Sequence, residues 1–234
     1  MKKSLLAGLG VIAALLATTA FSVPPQHVTV QYEMSRNGSV MADVVETLNH
    51  DGQSYSIDSE VRGRGIYMLL GTLKRISKGR VDAKGLQPLE FSDQRGSRAP
   101  VVAKFDWNRR VVVQENDGKT ESIDMSAAGQ GTLMDPLSMA YAFSFVPPAG
   151  KDILAARADG RGITPFRFAV LGTEKLQTPA GEIMALHISK VRDGPEDKAT
   201  DIWLSSERSL LPVRVLVVEK DGTRIDQVVT RIGS

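Results

Sequence analysis

Apolar and polar residues alternate along several segments of the chain, which is the pattern of β-strands with one buried face. In residues 101–108, VVAKFDWN, every odd-numbered position is apolar and three of the four even-numbered positions are polar. Residues 55–61 repeat the alternation more weakly. In residues 211–218, LPVRVLVV, both faces are apolar. A strand of this kind is covered on both sides, so another element must lie over the predicted sheet.

Turn signals separate these segments at short intervals. An Asn-Gly or Asp-Gly pair favours the positive φ angles of a two-residue hairpin turn. The pairs are Asn37-Gly38, Asp51-Gly52, Asp117-Gly118, Asp159-Gly160, Asp193-Gly194 and Asp221-Gly222. Successive hairpins form an antiparallel meander, and the spacing therefore argues against a parallel α/β sheet.

One segment has the pattern of a short amphipathic helix. Asp135-Pro136 is typical of a helix start, with Asp at the N-cap and Pro in the first turn. Leu137, Tyr141 and Phe145 then follow at i, i+4 and i+8, which places them on one stripe of a helix. A helix with such a stripe can bury it against the sheet.

The chain is therefore predicted to be mainly β. We expect a curved antiparallel meander sheet or an open barrel, covered by one short helix at about residues 135–145. The apolar run at 66–70, IYMLL, is a second candidate for the cover, either as a buried strand or as a helical turn.

The N-terminus has the organisation of an export signal. Lys2 and Lys3 precede an apolar region that runs from Leu5 to Ala17, and Ala20 and Ser22 provide the small residues of a cleavage site near Ser22. The same uncharged segment is just long enough to remain as an uncleaved anchor, although its many small residues would make a weak one. We favour cleavage.

This interpretation divides the chain into three parts. Residues 1–22 are the predicted signal peptide, residues 23–27 a linker, and residues 28–234 a single antiparallel β domain. Membrane contact is expected only through the signal peptide, if it stays uncleaved.

Composition excludes some classes of function. The signal peptide carries two lysines and no acid, so its removal lowers the net charge of the chain from +2 to zero. A neutral chain is a poor match for nucleic acid, which needs a basic excess on one face. The chain has no cysteine, which excludes disulfides, cysteine nucleophiles and thiolate metal sites.

The residues that usually perform chemistry are scattered. His27, His50 and His187 lie far apart without the close spacing of a metal-ligand pair. No Gly-x-Ser-x-Gly motif is present, and the acidic loop at 193–197 is most simply a solvated loop. The sequence Arg-Gly-Arg-Gly at 62–65 could bind an anion but is more typical of turns. We predict no catalytic residue, no metal site and no cofactor.

Large apolar side chains allow two interpretations. They pack into a core, which is the usual fate of buried aromatic residues, or some of them line a pocket between the sheet and the helix. Such a pocket would suit an acyl chain. Its predicted lining residues are Phe105, Trp107, Leu137, Tyr141, Phe145, Trp203 and Val215.

A set of short motifs in a fixed order extends this interpretation. The motifs are Phe105-Asp106-Trp107, Asp135-Pro136-Leu137-Ser138, Thr178-Pro179-Ala180-Gly181, Trp203-Leu204-Ser205 and Leu211-Pro212-Val213-Arg214-Val215. The order resembles the domain-of-unknown-function 3108 family over roughly residues 28–232. The resemblance implies an exported protein of the Gram-negative envelope, with a curved antiparallel sheet similar to the open barrels of periplasmic lipoprotein carriers. It implies no activity and no catalytic residue.

We therefore expect a periplasmic, non-enzymatic β protein that binds a lipid or another apolar ligand, or an envelope protein. The alternative location is the inner membrane, through an uncleaved N-terminal segment. The alternative function is a structural or interaction protein with a filled core and no ligand. A hydrolase that uses the acidic loop is a third and weaker hypothesis, because no nucleophile and base are paired in the sequence.

Overall fold

The computed structural model describes residues 23–194 and 196–233. The predicted signal peptide and its cleavage position near Ser22 lie outside the described residues. The described chain is mainly β, as predicted. Its strands are β1 His27–Arg36, β2 Ser39–His50, β3 Ser54–Gly63, β4 Leu73–Asp82, β5 Gly85–Arg95, β6 Val101–Asp106, β7 Val111–Asn116, β8 Lys119–Asp124, β9 Thr132–Met134, β10 Asp152–Ala158, β11 Ile163–Thr178, β12 Gly181–Lys190, β13 Ala199–Ser205, β14 Pro212–Val218 and β15 Arg224–Gly233. The helices are α1 Pro136–Tyr141 and the 3-10 segments Gly65–Leu70, Met125–Ala128 and Ala142–Ser144.

All the described strands belong to one sheet, in the order β8-β7-β6-β5-β4-β3-β2-β1-β15-β14-β13-β12-β11-β10-β9. Every neighbouring pair is antiparallel except β9 and β10. That pair is parallel because α1 lies between the two strands in sequence and provides the crossover that parallel pairing requires. In the described part of the chain, β8 and β9 remain unpaired edges, so the sheet is open rather than a closed barrel. The predicted meander is confirmed.

Two of the six Asn-Gly and Asp-Gly pairs form the predicted two-residue hairpin turns, whereas Asp193-Gly194 has a positive φ at neither residue. Asn37 and Gly38 have φ angles of 50° and 82°, and Asp117 and Gly118 have 50° and 73°. Two successive residues with positive φ make the turn type whose twist matches that of the flanking strands. These turns connect β1 to β2 and β7 to β8 directly.

The predicted helix forms and starts where its cap residues indicate. The Asp135 carboxylate accepts hydrogen bonds from the backbone amides of Leu137 and Ser138, and the Ser138 hydroxyl bonds back to the Asp135 backbone. This reciprocal capping satisfies amides that a helix start leaves without partners. Leu137 and Tyr141 are both buried, which confirms the apolar stripe.

The helix lies in the interior and contacts several strands. It packs against β3, β4, β5 and β10. Leu137 and Tyr141 belong to the larger of two groups of buried residues, whereas Met139 belongs to a second group with Ile188 and Leu204. Both sides of the helix are thus buried, and it fills the space enclosed by the curved sheet.

The second candidate for the cover behaves differently. Gly65–Leu70 forms a 3-10 helix between β3 and β4, and none of its six residues, all of which are described, is buried. It therefore does not form a buried cover, although it contacts β2 and β3. In the portion of the chain that the structure describes, no helix has both the length and the apolarity that a membrane span requires.

Candidate functional site

A cavity of about 650 Å³ opens beside the 3-10 helix at Gly65–Leu70, and we call it the mouth cavity. Seven strands that are consecutive in the sheet, from β5 through β1 to β14, contribute lining residues. In a flat sheet with strands about 4.8 Å apart, seven strands would span about 29 Å. A sphere with the volume of the cavity is only about 11 Å across. The sheet must therefore curl around the cavity.

One wall of the mouth cavity is apolar. Met34 on β1, Val61 on β3, Leu73 on β4, and Val215 and Val217 on β14 face it. All five are half-buried, so their side chains remain accessible from the cavity. Burial of apolar ligand surface against such a wall is favourable by about 25 cal/mol for each Å² removed from water.

The other wall carries guanidinium groups. Arg75, Arg95 and Arg98 line the cavity, and the buried carboxylate of Asp93 accepts from Arg75 over 3.4 Å and from Arg95 over 3.2 Å. Two cations share one anion there, and Arg98 makes no ion pair with any described residue. This wall therefore has an excess of positive charge. Guanidinium groups suit carboxylate and phosphate oxygens, which they bind in pairs.

A buried acid lies behind the mouth cavity. The Glu46 carboxyl on β2 accepts hydrogen bonds from Tyr141 over 2.9 Å, Ser59 over 3.3 Å and Gln227 over 3.4 Å. Burial raises the pKa of Glu46, and these hydrogen bonds oppose that rise only in part. Gln227 also lines the cavity. The sequence contained a signal for this acid, because Glu46 lies in phase with the inward residues Ala42, Val44 and Leu48 on β2.

A second buried acid anchors the start of α1. Besides its cap bonds, the Asp135 carboxyl accepts from the Ser77 hydroxyl over 2.6 Å, and Ser77 also bonds Tyr55 over 3.1 Å. Burial raises the pKa of Asp135. The partners of Asp135 and Glu46 are groups of the protein itself, an arrangement typical of structural anchoring.

The sequence predicts no metal-ligand pair and no catalytic role among the histidines, and in the structure His187 belongs to a row of paired side chains. His187 lies 2.9 Å from Asp201 and 3.3 Å from Glu174, and it stacks on Trp203 at 4.3 Å between ring centroids. The Arg214 guanidinium also lies over the Trp203 ring, with its Cζ atom 4.7 Å from the ring centroid. These are cross-strand pairs, and none of their acids comes from the loop at 193–197.

The described residues contain no cluster of three or more His, Asp or Glu side chains that could hold a metal ion. His27 instead bonds Asn49, and His50 bonds the Pro24 carbonyl and packs against Phe145.

Of the seven predicted lining residues, Val215 alone lies on the mouth cavity. The other six pack into the core. Leu137, Tyr141 and Phe145 pack in the helical segment, and Phe105 stacks on Trp107, whose indole nitrogen donates to the Pro88 carbonyl. Trp203 is buried and donates to Glu174. The other residues of the cavity, none of which was predicted to line a pocket, are Met34, Met41, Ala42, Val61, Gly63, Tyr67, Leu70, Gly71, Thr72, Leu73, Arg75, Arg95, Arg98, Val217, Glu219, Ile225 and Gln227. The acid among them, Glu219, pairs with Lys198 over 2.6 Å.

Comparison with one solved structure, from Brucella abortus, supports this fold. Residues 29–229 match the family model described as Protein of unknown function (DUF3108). A crystal structure of a β-barrel-like protein of the domain of unknown function DUF1849, from Brucella abortus, aligns with a TM-score of 0.58 at 10% identity, covering 90% of this chain and 98% of that one. A structure with a YmcC-like fold from Bacteroides fragilis aligns at 0.39 and 9% identity, over 88% of this chain and 95% of that one. No curated protein matches the chain.

Proposed function

The chain belongs to the DUF3108 family, and from that premise we propose that it is an exported, non-enzymatic protein of the cell envelope that binds a lipid-like ligand in the mouth cavity. The observation that carries the proposal is the pairing of an aliphatic wall with an arginine wall in one cavity. The ligand class is an amphiphile with an acyl chain and an anionic headgroup. The predicted signal peptide supports export to the periplasm.

The size and lining of the cavity support a ligand of this class. Binding pockets for small molecules commonly have volumes of about 300–1,000 Å³ and are mostly apolar, with a few polar groups that orient the ligand. The mouth cavity falls within that range at about 650 Å³. Each methylene that an acyl chain buries there contributes about 0.8 kcal/mol.

The arginines would orient the ligand. Arg98 has no acidic partner among the described residues, so a headgroup phosphate or carboxylate would be its first counter-ion. Arg75 and Arg95 already share Asp93 and would contribute more weakly. An uncharged amphiphile would gain the apolar contacts alone.

Displacement of a fluorescent fatty acid from the purified protein tests the proposal. Val217→Trp fills the cavity from its apolar wall and should abolish binding, whereas Val45→Trp, at an exposed valine on β2, should not. Arg98→Ala should weaken binding of a fatty acid but not of the matching monoacylglycerol. Arg109→Ala, at an exposed arginine outside the cavity, is the control. Equal affinities in all four variants, together with no lipid in a mass spectrum of the purified protein, would overturn the proposal.

A second candidate is an interaction protein of the envelope without a ligand. It is favoured by the burial of five of the seven predicted lining residues in the core, against which Trp107 also packs. On that hypothesis Val217→Trp leaves fatty-acid binding absent, as in the wild type, and raises the melting temperature by filling empty space.

A further inference from the structure

The 3-10 helix beside the mouth cavity exposes an unusual set of side chains. Ile66, Met68, Leu69 and Leu70 are 78%, 66%, 90% and 72% exposed, and we call these four residues the apolar tip. Single exposed hydrophobic residues are common on protein surfaces, but a contiguous group marks a binding surface.

The tip is a formed structure. The amide of Tyr67 donates to the Arg64 carbonyl, and the amide of Gly71 donates to the Met68 carbonyl. At Gly63 the chain turns so tightly that a Cβ atom would lie 2.2 Å from the Tyr67 carbonyl oxygen. Only glycine fits this approach, so the segment is held in the conformation that presents the tip.

A neighbouring loop braces the tip from the side. The amide of Gly96, which follows β5, donates to the Thr72 carbonyl over 2.9 Å. A Cβ atom on Gly71 would approach the Gly96 Cα to 3.1 Å, so the two loops are in contact. Residues 63–72 and the loop at 96–100 thus form one end of the molecule.

The charge around the tip is positive. The stretch 61–81 contains six Lys or Arg residues and no Asp or Glu. Arg64 is neutralised by Asp43 and Glu33, and Arg62 pairs with Glu60. The remaining cations next to the tip, Lys74 and Arg98, are free of ion pairs within the residues described.

We propose that the apolar tip inserts into the surface of a membrane that contains anionic lipids. Four aliphatic side chains would enter the boundary between headgroups and acyl chains, while Lys74 and Arg98 would contact the lipid phosphates. Tyr67, a half-buried aromatic residue on the same segment, suits the interface between water and hydrocarbon. This membrane contact is separate from the predicted signal peptide.

The charges favour a membrane over a protein partner or a second copy of the chain. A stable protein interface buries about 800 Å² on each partner, which is more than four aliphatic side chains provide. Cations flanking an apolar tip match the charge of an anionic bilayer.

Docking of the tip would place the mouth cavity against the bilayer. Tyr67, Leu70 and Gly71 line the cavity as well as belonging to the tip segment. An amphiphile could then pass between bilayer and cavity with little exposure of its chain to water. This last step rests on the function proposed above, whereas membrane binding by the tip does not.

Vesicle flotation tests the inference with the protein purified from an exporting host. We expect wild-type protein to bind phosphatidylglycerol vesicles in a salt-sensitive manner, and phosphatidylcholine vesicles more weakly. The double substitution Ile66→Asp with Leu69→Asp, at tip residues that do not line the mouth cavity, should reduce binding by about tenfold or more, because it replaces inserting side chains with anions. The matched control is Leu154→Asp with Leu171→Asp, at exposed leucines on β10 and β11, and it should bind as the wild type does.

A second readout locates the contact directly. Tryptophan fluorescence of the Leu69→Trp variant should be quenched by brominated lipids, and that of Val45→Trp should not. Equal vesicle binding by the tip and control variants, or an unquenched Trp at position 69, would overturn the inference. Loss of self-association in the tip variant, with vesicle binding retained, would assign the tip to a second copy and would also overturn it. Fatty-acid binding by the tip variant, measured without vesicles, tests the cavity separately from membrane binding by the tip.

Discussion

The hydrogen bond from Tyr141 to Glu46 should contribute measurably to the free energy of unfolding. The two groups lie 2.9 Å apart and are 1% and 6% exposed. Tyr141→Phe leaves the carboxyl with the longer bonds from Ser59 and Gln227, at 3.3 and 3.4 Å. Leaving a buried acceptor without its partner costs about 1–3 kcal/mol, and the loss should lower the melting temperature by about 2–12 °C for a chain of this size.

Urea unfolding, followed by the fluorescence of Trp107 and Trp203, measures this change. Tyr67→Phe is the control, because the Tyr67 hydroxyl bonds no described residue, and it should change the free energy of unfolding by less than about 0.5 kcal/mol. In a double-mutant cycle with Glu46→Leu, which removes the acceptor oxygens, the two losses should be less than additive, since each substitution removes the same bond. If Tyr141→Phe unfolds at the same urea concentration as Tyr67→Phe, the bond does not anchor the helical segment.

Two further predictions concern the same interior. Because burial raises the pKa of Glu46, the folded state binds the proton of the Glu46 carboxyl more tightly than the unfolded state does. The stability that this proton confers is fully present below the unfolded-state pKa and is lost as pH rises through the folded-state pKa, at up to about 1.4 kcal/mol per pH unit. Glu46→Gln should flatten that dependence in urea titrations between about pH 4 and 8, and an unchanged slope would contradict the proton assignment. Leu137→Ala should cost about 2–5 kcal/mol by opening a void around a buried side chain, yet leave fatty-acid affinity unaltered because Leu137 does not line the mouth cavity. A weakened affinity at unchanged stability would place Leu137 in the binding site instead.

Local rules were sufficient to predict the sheet and the helix. The alternation at 101–108 becomes β6 with Ala103 and Phe105 buried, and Asn37-Gly38 forms the hairpin turn that the pair favours. Asp135 caps the helix as its type and position predict. In each case the outcome depends on backbone preference and on neighbours in sequence, which a single sequence contains.

The exposure of the apolar tip could not be predicted in the same way. An apolar run such as Ile66–Leu70 is most often buried, and the sequence favoured a cover for the sheet. Its exposure follows from contacts that are distant in sequence, including the brace from Gly96 and the occupation of the interior by α1. Such contacts depend on how the sheet curls, which periodicity does not specify.

The position of the mouth cavity follows from the kinds of side chain that the curled sheet brings together. The interior that α1 reaches is filled by Tyr141 and Phe145, and a large aromatic side chain is effective at removing empty space. The mouth cavity is lined mainly by aliphatic and arginine side chains, and Val215 and Val217 on β14 and Gly63 at the end of β3 are among its lining residues. Searching the sequence for a pocket among its aromatic residues therefore finds the core. A hollow in a curled sheet is better sought where aliphatic residues of strands distant in sequence lie together and no aromatic side chain of the interior helix α1 reaches the space between them.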